Sequence, residues 1–130
     1  MRSTGGAGGN ARPRGVLRMS EGGRSSQRKG AEGERELARM LEAAGYTVQR
    51  GGSLSFGDLP DLYGLPGIHI EVKRRERLNL SEAMGQAVRD SERFGDGDPA
   101  VFHRRNRESW LVTMKLSDWL KLYKGRADHE

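Results

Sequence analysis

The sequence predicts an α/β protein of three layers, with one mixed central sheet and the element order αβββαββα. Three observations support this. Apolar residues recur at helical spacing in three segments, they alternate with polar residues in five others, and glycine- or proline-containing turns separate these segments. Helices and strands that follow one another in this way around a single core are typical of layered α/β domains.

The composition indicates one small domain with a modest core. The chain has 130 residues, of which 34% are hydrophobic, and its mean hydropathy is -0.80. It has no cysteine, which excludes disulfides and thiolate zinc sites, and no run that approaches the ~18 apolar residues of a membrane span. Because a signal peptide's apolar stretch is also missing, we expect a cytoplasmic protein. The net charge of +5 and the pI near 10.0 are typical of proteins that bind polyanions, although charge does not separate DNA from RNA or an acidic protein.

The composition changes along the chain. Residues 1–27 contain seven glycines, five arginines and one acidic residue, so we expect a disordered basic tail. Such a tail is either an electrostatic arm for nucleic acid or an extension with no role, and both interpretations stay open. The ordered domain is expected over residues 28–124, with a short tail at 125–130.

The first helix is predicted over residues 32–44. Its apolar positions recur at spacings of three and four: Leu37, Met40, Leu41 and Ala44. Gly45 supplies the stop. Glu34 lies at the border of this apolar stripe and not on the solvent-facing side of the helix. Its carboxylate either reaches out to water or points at something inside the domain.

A strand with charged side chains follows further along the chain. Residues 68–73 alternate apolar and polar, so Glu71 and Lys73 share one face, about 7 Å apart. An antiparallel return through the turn at residues 64–67 would bring Asp61, which follows Pro60, beside Glu71. Two carboxylates at close range repel each other, and a site that holds both usually holds a divalent cation.

A simpler interpretation exists for each of these residues. Glu-x-Lys is common on the solvent face of an edge strand, and an aspartate after proline is common in turns. Taken alone, Glu71 and Lys73 favour the solvent face. The combination with Asp61 and Glu34 is what favours a site.

The second half of the chain is predicted to hold a helix at residues 81–94, strands at 100–103 and 110–114, and a helix at 117–123. The strands are joined by a cationic turn with Arg104, Arg105 and Arg107. Trp119, Leu120 and Tyr123 are expected to pack the last helix onto the domain.

Together these segments resemble the PD-(D/E)XK nuclease superfamily, and especially archaeal-type Holliday junction resolvases and small phage nucleases. The resemblance covers residues 28–114. Its motifs are Lys29-Gly30 followed by Glu34-Arg35-Glu36-Leu37, Gly45-Tyr46 leading to Arg50, Pro60-Asp61, and Glu71-Val72-Lys73. A bacterial family with a Gly-Glu-Ile-Asp motif is a competitor, but Pro60-Asp61 fits the resolvase-like branch better. The serine-glycine that the family has after the strand ending in arginine is replaced by residues 51–57. Ser53 and Ser55 are the candidates for the family's serine.

The resemblance implies a restriction-endonuclease-like fold and hydrolysis of DNA phosphodiester bonds with Mg²⁺, for which Mn²⁺ is a substitute. It implies Glu34, Asp61 and Glu71 as metal ligands and Lys73 as a fourth catalytic residue. Gln86 matches a polar residue of some branches, with a solvated side chain as the alternative. The expected nucleic-acid contacts are Lys29, Arg50, Arg74, Arg75, Arg77, Arg104, Arg105 and Arg107.

The implied substrate is branched DNA, cut by a homodimer in the nucleoid or in the cytoplasm of a phage-infected host, with no membrane association. Two alternatives remain at this stage. One is a general phage-type DNA nuclease, and the other is a non-catalytic DNA-binding or assembly module on the same fold.

Overall fold

The computed structural model describes residues 30–51 and 60–129, and of residues 127–129 it describes the backbone only. Residues 32–130 form one compact unit, and apart from residues 30–31 the fold reported below belongs to it. The predicted tail at residues 1–27 lies outside the described residues, as do Lys29, Ser53 and Ser55.

Within residues 30–51 and 60–129, three helices and five strands follow one another in the predicted order αβββαββα, which confirms the α/β class. In chain order the elements are α1 (residues 30–43), β1 (Gln49–Arg50), β2 (Leu62–Tyr63), β3 (Ile68–Arg74), α2 (Leu80–Phe94), β4 (Asp98–Arg104), β5 (Leu111–Met114) and α3 (Leu116–His129). The strands form one sheet in the order β1-β2-β3-β4-β5. β3 and β4 are parallel over seven residue pairs, and the other neighbours are antiparallel, so the sheet is mixed.

Helices cover the two faces of this sheet. On one face Leu37 of α1 packs in a cluster with Leu62, Ile70 and Phe102. On the other face Ala83 and Ala87 of α2 pack against Val101. Phe102 and Val101 are neighbours on β4, and because successive side chains of a strand point to opposite faces, the two clusters lie on opposite sides of the sheet. The predicted three layers are therefore present.

The ends of α2 are fixed by local capping. The side chain of Asn79 accepts a hydrogen bond from the backbone N–H of Glu82, at 3.0 Å, at the start of the helix. Gly95 ends the helix in the left-handed conformation, with φ 60°, and its N–H donates to the carbonyl of Ser91 at 2.8 Å. These caps determine where the helix lies over β3 and β4. Within the described part of the chain, no helix is long and apolar enough to cross a membrane.

The polar face of β3 does not face solvent, so the simpler interpretation of an ordinary outer strand face does not hold. His69 is 1% exposed and Glu71 is 5% exposed. The reason is the parallel pairing of β3 with β4, because parallel strands need a crossover, and the crossover helix α2 covers this face of the sheet.

The first two strands of the sheet are short. β1 pairs at Gln49–Arg50, and β2 pairs at Leu62–Tyr63. In the register between them, Gln49 lies opposite Tyr63 and Arg50 lies opposite Leu62.

The last helix differs from the prediction in length and in packing. It continues to His129, beyond the expected end at Tyr123. Trp119, Leu120 and Tyr123 do not pack onto the domain but are 47%, 48% and 55% exposed, so that prediction is wrong. The buried residue of this helix is Asp118, which lies on the opposite side from the apolar stripe.

Candidate active site

A cleft of about 170 Å³ opens between β3 and α2, beside the start of β2. Its lining combines acidic, basic and aromatic side chains: Pro60, Asp61, His69, Ile70, Glu71, Gln86, Asp90, Arg93 and Phe94. Two of the four residues predicted to be catalytic, Asp61 and Glu71, therefore line one cavity.

Glu71 lies at the buried end of the cleft between two nitrogen-bearing side chains. Lys73 Nζ is 3.6 Å from Glu71 Oε2, and His69 Nε2 is 3.4 Å from Glu71 Oε1. The two-residue period of β3 places all three side chains on the face that α2 covers. The burial of this carboxylate is thus accompanied by two groups that can carry positive charge.

The ammonium of Lys73 is held in place from α2. Its Nζ donates a hydrogen bond to Gln86 Oε1 at 2.9 Å, and the side chain is 11% exposed. Gln86 is therefore engaged with the site and is not the solvated side chain of the alternative interpretation. Its role in the reaction stays a prediction.

Asp61, which lines the cleft, and Glu34, which interacts with the charge of Asp61, bring further negative charge near Glu71. Partial loss of water and the nearby charge of Glu71 raise the pKa of Asp61, against the opposing effect of Lys73. Desolvation and the charge of Asp61 likewise raise the pKa of Glu34. Glu34 Oε1 accepts hydrogen bonds from Arg50 Nε at 3.2 Å and Nη2 at 3.1 Å. The carboxylates are thus close enough to disfavour one another's charged forms.

This donor set fits a divalent cation. Carboxylate oxygens are hard ligands of the type that Mg²⁺ and Mn²⁺ take, and a cation among them would remove the mutual repulsion that raises these pKa values. Among the residues that the structure describes, one group of three has ligand atoms all within 4.8 Å of one another, namely His69, Glu71 and Asp90. Glu34 is directed at Arg50 instead.

Sequence reasoning missed Asp90 and left His69 without a role. Asp90 follows Gln86 by one helical turn on α2, and this spacing of four was a signal that could have found it. His69 is one of the polar residues that alternate with apolar ones in the strand predicted at residues 68–73. Its Nδ1 contacts both carboxylate oxygens of Asp96, at 3.0 and 2.9 Å. Burial would lower the pKa of His69, but hydrogen bonds with Glu71 and Asp96 outweigh burial and raise it.

Four of the arginines expected to contact nucleic acid line one groove of about 440 Å³ beside the turn between β4 and β5, namely Arg75, Arg77, Arg104 and Arg105. Arg104 also pairs with a carboxylate of the domain, with its Nε 2.7 Å from Glu36 Oε1. Arg50 pairs with Glu34.

The other two arginines that were predicted as contacts lie elsewhere. Arg74 borders a separate depression with Arg35 and Arg39, and Arg107 occupies the exposed turn with φ 65°. The structure therefore places the predicted basic residues on more than one surface of the domain.

Known proteins resemble this chain in sequence and in fold. A family model described as "Phage putative PDDEXK endonuclease" matches residues 25–129. Among solved structures, Hjc of Archaeoglobus fulgidus, a Holliday junction resolvase from an archaeal hyperthermophile, is similar with 28% sequence identity and a TM-score of 0.50. That match covers 66% of this chain and 72% of Hjc. The matched residues 25–129 include all of the cleft described above.

Proposed function

Because the chain belongs to the phage PD-(D/E)XK endonuclease family, we propose that it is a metal-dependent DNA endonuclease, with Mg²⁺ as the ion and branched DNA as the preferred substrate. The observation that carries this proposal is the cleft in which the buried Glu71 lies beside Asp61 and within 3.6 Å of Lys73. Similarity to a Holliday junction resolvase supports the branched substrate.

Glu34, Asp61 and Glu71 would hold the ion. A bound divalent cation polarises the scissile phosphate and helps to activate water. The protein's contribution is the mostly desolvated carboxylate of Glu71 on β3 and the carboxylate of Asp61, which also lines the cleft. Arg50, which pairs with Glu34, would hold the Glu34 carboxylate until the ion competes for it.

Lys73 would stabilise the negative charge that builds up on the phosphate in the transition state. Its ammonium is positioned in advance by Gln86 and Glu71, so no reorganisation is needed when the charge develops. The low exposure of this side chain strengthens its electrostatic effect, because water screens buried charges less than exposed ones.

The basic groove with Arg75, Arg77 and Arg105 would bind the phosphate backbone. Contacts to phosphates position DNA without reading its sequence, which suits recognition of a branched shape. Affinity should then fall steeply as the salt concentration rises, because each phosphate contact releases bound counterions.

A second copy of the chain would supply the second cut that a four-way junction requires. The exposed apolar side chains of α3 recur at Leu116, Trp119, Leu120 and Tyr123, a spacing that forms one stripe along the helix. This stripe lies opposite the buried Asp118, so it faces away from its own domain. We expect the stripe to form the interface of a homodimer.

The test compares a synthetic four-way junction with a linear duplex of matched sequence, each incubated with the protein in Mg²⁺ or in EDTA. Cleavage of the junction that requires Mg²⁺ and exceeds cleavage of the duplex is expected. Equal cutting of both substrates would exclude the junction preference and leave a general nuclease. If neither substrate is cut, the enzymatic proposal fails and a non-catalytic module remains.

Asp61→Asn should abolish cleavage and leave DNA binding intact, because the change removes a charge needed for the ion but keeps the size of the side chain. Cleavage assays and binding measurements by fluorescence anisotropy would be made in parallel. Glu92→Gln, on the exposed side of α2, is the matched control and should cut normally. Loss of binding by a folded Asp61→Asn protein would contradict the metal-holding role.

A further inference from the structure

The geometry points to a cation position with a nitrogen ligand, formed by His69 Nε2, Glu71 and Asp90 and sharing Glu71 with the carboxylate set of Glu34 and Asp61. This inference rests on the proposed metal-dependent function and deepens it, since it adds two ligands from this chain. It also implies which ions the site prefers.

The distances between these side chains suit ligands of one ion. Nε2 of His69 is 3.4 Å from Glu71 Oε1, and the ligand atoms of all three residues lie within 4.8 Å of one another. With metal–ligand bonds of about 2.1 Å, neighbouring ligands lie roughly 3.0 Å apart in octahedral and 3.4 Å apart in tetrahedral sites. His69 and Glu71 are therefore already at a ligating separation.

The hydrogen bonds of His69 leave Nε2 as the free ligand atom. A hydrogen bond from a ring N–H to a carboxylate oxygen is normally about 2.7–3.2 Å long. The contacts of Nδ1 with Asp96, at 2.9 and 3.0 Å, have this length, whereas the 3.4 Å contact of Nε2 with Glu71 is long. The proton is thus best placed on Nδ1, which leaves the Nε2 lone pair directed into the cleft.

Asp96 stands behind His69 as the partner that metal-ligating histidines commonly have. A histidine that binds a metal almost always donates its other ring N–H to a carboxylate, a carbonyl or water, and this bond fixes the ring and its tautomer. The ring of His69 is also stacked on Phe94, with centroids 6.2 Å apart and planes 14° apart. The histidine is therefore oriented before any ion arrives.

The backbone next to Asp96 is itself fixed by a close approach of two loops. Gly97 has φ 135° and packs against the backbone of Gly67, where a Cβ atom would overlap it. The N–H of Asp98 donates to the carbonyl of Gly67 at 2.8 Å. This contact ties the loop after α2 to the turn before β3, and so fixes Asp96 relative to His69.

A nitrogen ligand changes which ions the site favours. Imidazole suits first-row transition ions, while Mg²⁺ is bound mainly by carboxylates, phosphates and water. We therefore expect the protein to bind Mn²⁺ more tightly than Mg²⁺. If His69 instead only orients Glu71 through a hydrogen bond, it makes no contact with the ion.

Pulsed electron paramagnetic resonance of the full chain with one equivalent of Mn²⁺ separates these two cases. We expect modulation from a directly coordinated ¹⁴N nucleus, which changes to a ¹⁵N pattern when the protein is made with ¹⁵N-histidine. This measurement uses the unaltered protein, so it does not depend on the folding of a variant. Absence of histidine nitrogen coupling would overturn the inference.

Variants give a second, independent readout. His69→Asn should remove the nitrogen coupling, and both His69→Asn and Asp96→Asn should weaken Mn²⁺ binding by about 10- to 100-fold, as is common for ligands and their partners. His103→Asn is the matched control. His103 contacts Thr113 at 2.8 Å and borders the basic groove instead of the cleft, so its loss should change neither readout.

The outcomes also separate this inference from the proposed function. If Mg²⁺-dependent cleavage is present and Asp61→Asn abolishes it, but Mn²⁺ shows no histidine coupling, only the nitrogen ligand is wrong. Unchanged Mn²⁺ affinity in a folded His69→Asn protein would have the same meaning. If neither Mn²⁺ nor Mg²⁺ binds in calorimetry, both proposals fail.

Discussion

Glu71 illustrates how a buried carboxylate can be kept in an active cleft. Removing a carboxylate from water costs several kcal/mol unless charged or hydrogen-bonding partners are close. Here Lys73 and His69 lie within 3.6 Å of its two oxygens, and Gln86 and Asp96 in turn hold these two residues. The site is thus a chain of paired polar groups in which each member fixes the next.

Lys73→Gln should lower the cleavage rate by about 100- to 1000-fold, the usual effect of removing one group that stabilises transition-state charge. Binding of DNA should change little, because Lys73 is mostly buried in the cleft. Single-turnover cleavage and equilibrium binding would be measured together. Lys121→Gln, on the exposed part of α3, is the control. A rate that stays near that of the control would show that Lys73 serves only to pair with Glu71.

Protonation of Glu36 in acid should destabilise the domain. Hydrogen bonds from Arg104, and also from the Trp110 Nε1–H at 2.8 Å, lower the pKa of Glu36 below the ordinary value of 4.5. A lowered pKa in the folded state stabilises the protein above pH 4.5, and this stabilisation is lost as the pH falls through the lower, folded-state pKa.

We therefore expect Glu36→Gln to lower the free energy of unfolding at pH 7 by about 1–3 kcal/mol, with the difference from wild type shrinking below pH 4.5. Urea unfolding at pH 7, 4.5 and about 3 would measure this. Glu42→Gln, exposed on α1, should show no such pH-dependent difference. A difference for Glu36→Gln that stays constant with pH would contradict this ionic role.

At the scale of the elements, local patterns predicted more than long-range contacts did. The order αβββαββα could be predicted because each segment carries its own period of two or 3.6 residues. The burial of the polar face of β3 could not be predicted, since it depends on the path of α2 between two parallel strands. Asp96 is 27 residues from His69, so no local pattern connects them.

The predicted site shows the same division. Glu34, Asp61, Glu71 and Lys73 were grouped from motifs of a few residues each, and their catalytic roles remain predictions. Asp90 comes close to His69 and Glu71 only because α2 packs on the sheet. Trp119 and Tyr123 have the spacing of a packed helical face. Sequence alone does not tell whether the rest of the same domain or another molecule covers such a face.

Two glycines in helices should respond oppositely to alanine. Alanine is favoured over glycine by about 1 kcal/mol in a helix interior, so Gly85→Ala in α2 should stabilise the protein by about that amount. Its new Cβ would meet only the flexible end of Arg89, at 3.4 Å. At Gly33 a Cβ would lie 3.0 Å from Arg74 Cβ, so α1 and β3 would have to separate by a few tenths of an ångström.

Gly33→Ala should therefore destabilise the protein, in spite of the favourable helix propensity. Chemical denaturation of both variants would measure the two changes, with Gly85→Ala as the matched control. Equal stabilisation by both substitutions would show that α1 does not need a close approach at position 33.

At the scale of the whole molecule, the apolar stripe on α3 should determine the oligomeric state. We expect wild type to sediment as a dimer at micromolar concentration and Trp119→Asp to sediment as a monomer, because a charge in the centre of the stripe cannot be buried without a partner. Ser117→Asp, on the same helix but off the stripe, is the control and should remain dimeric. A wild-type monomer, or a dimeric Trp119→Asp protein, would exclude this interface.

The position of β3 also determines at what stage of thermal unfolding Glu71 is exposed to solvent. Glu71 is carried by a strand that has neighbours on both edges and helices on both faces. Opening of a terminus or a loop does not reach such a strand, and amides of this kind exchange with solvent only when the whole domain opens. On heating, the strand that carries Glu71 should accordingly open only in global melting, unlike a catalytic group on a lid that melts first.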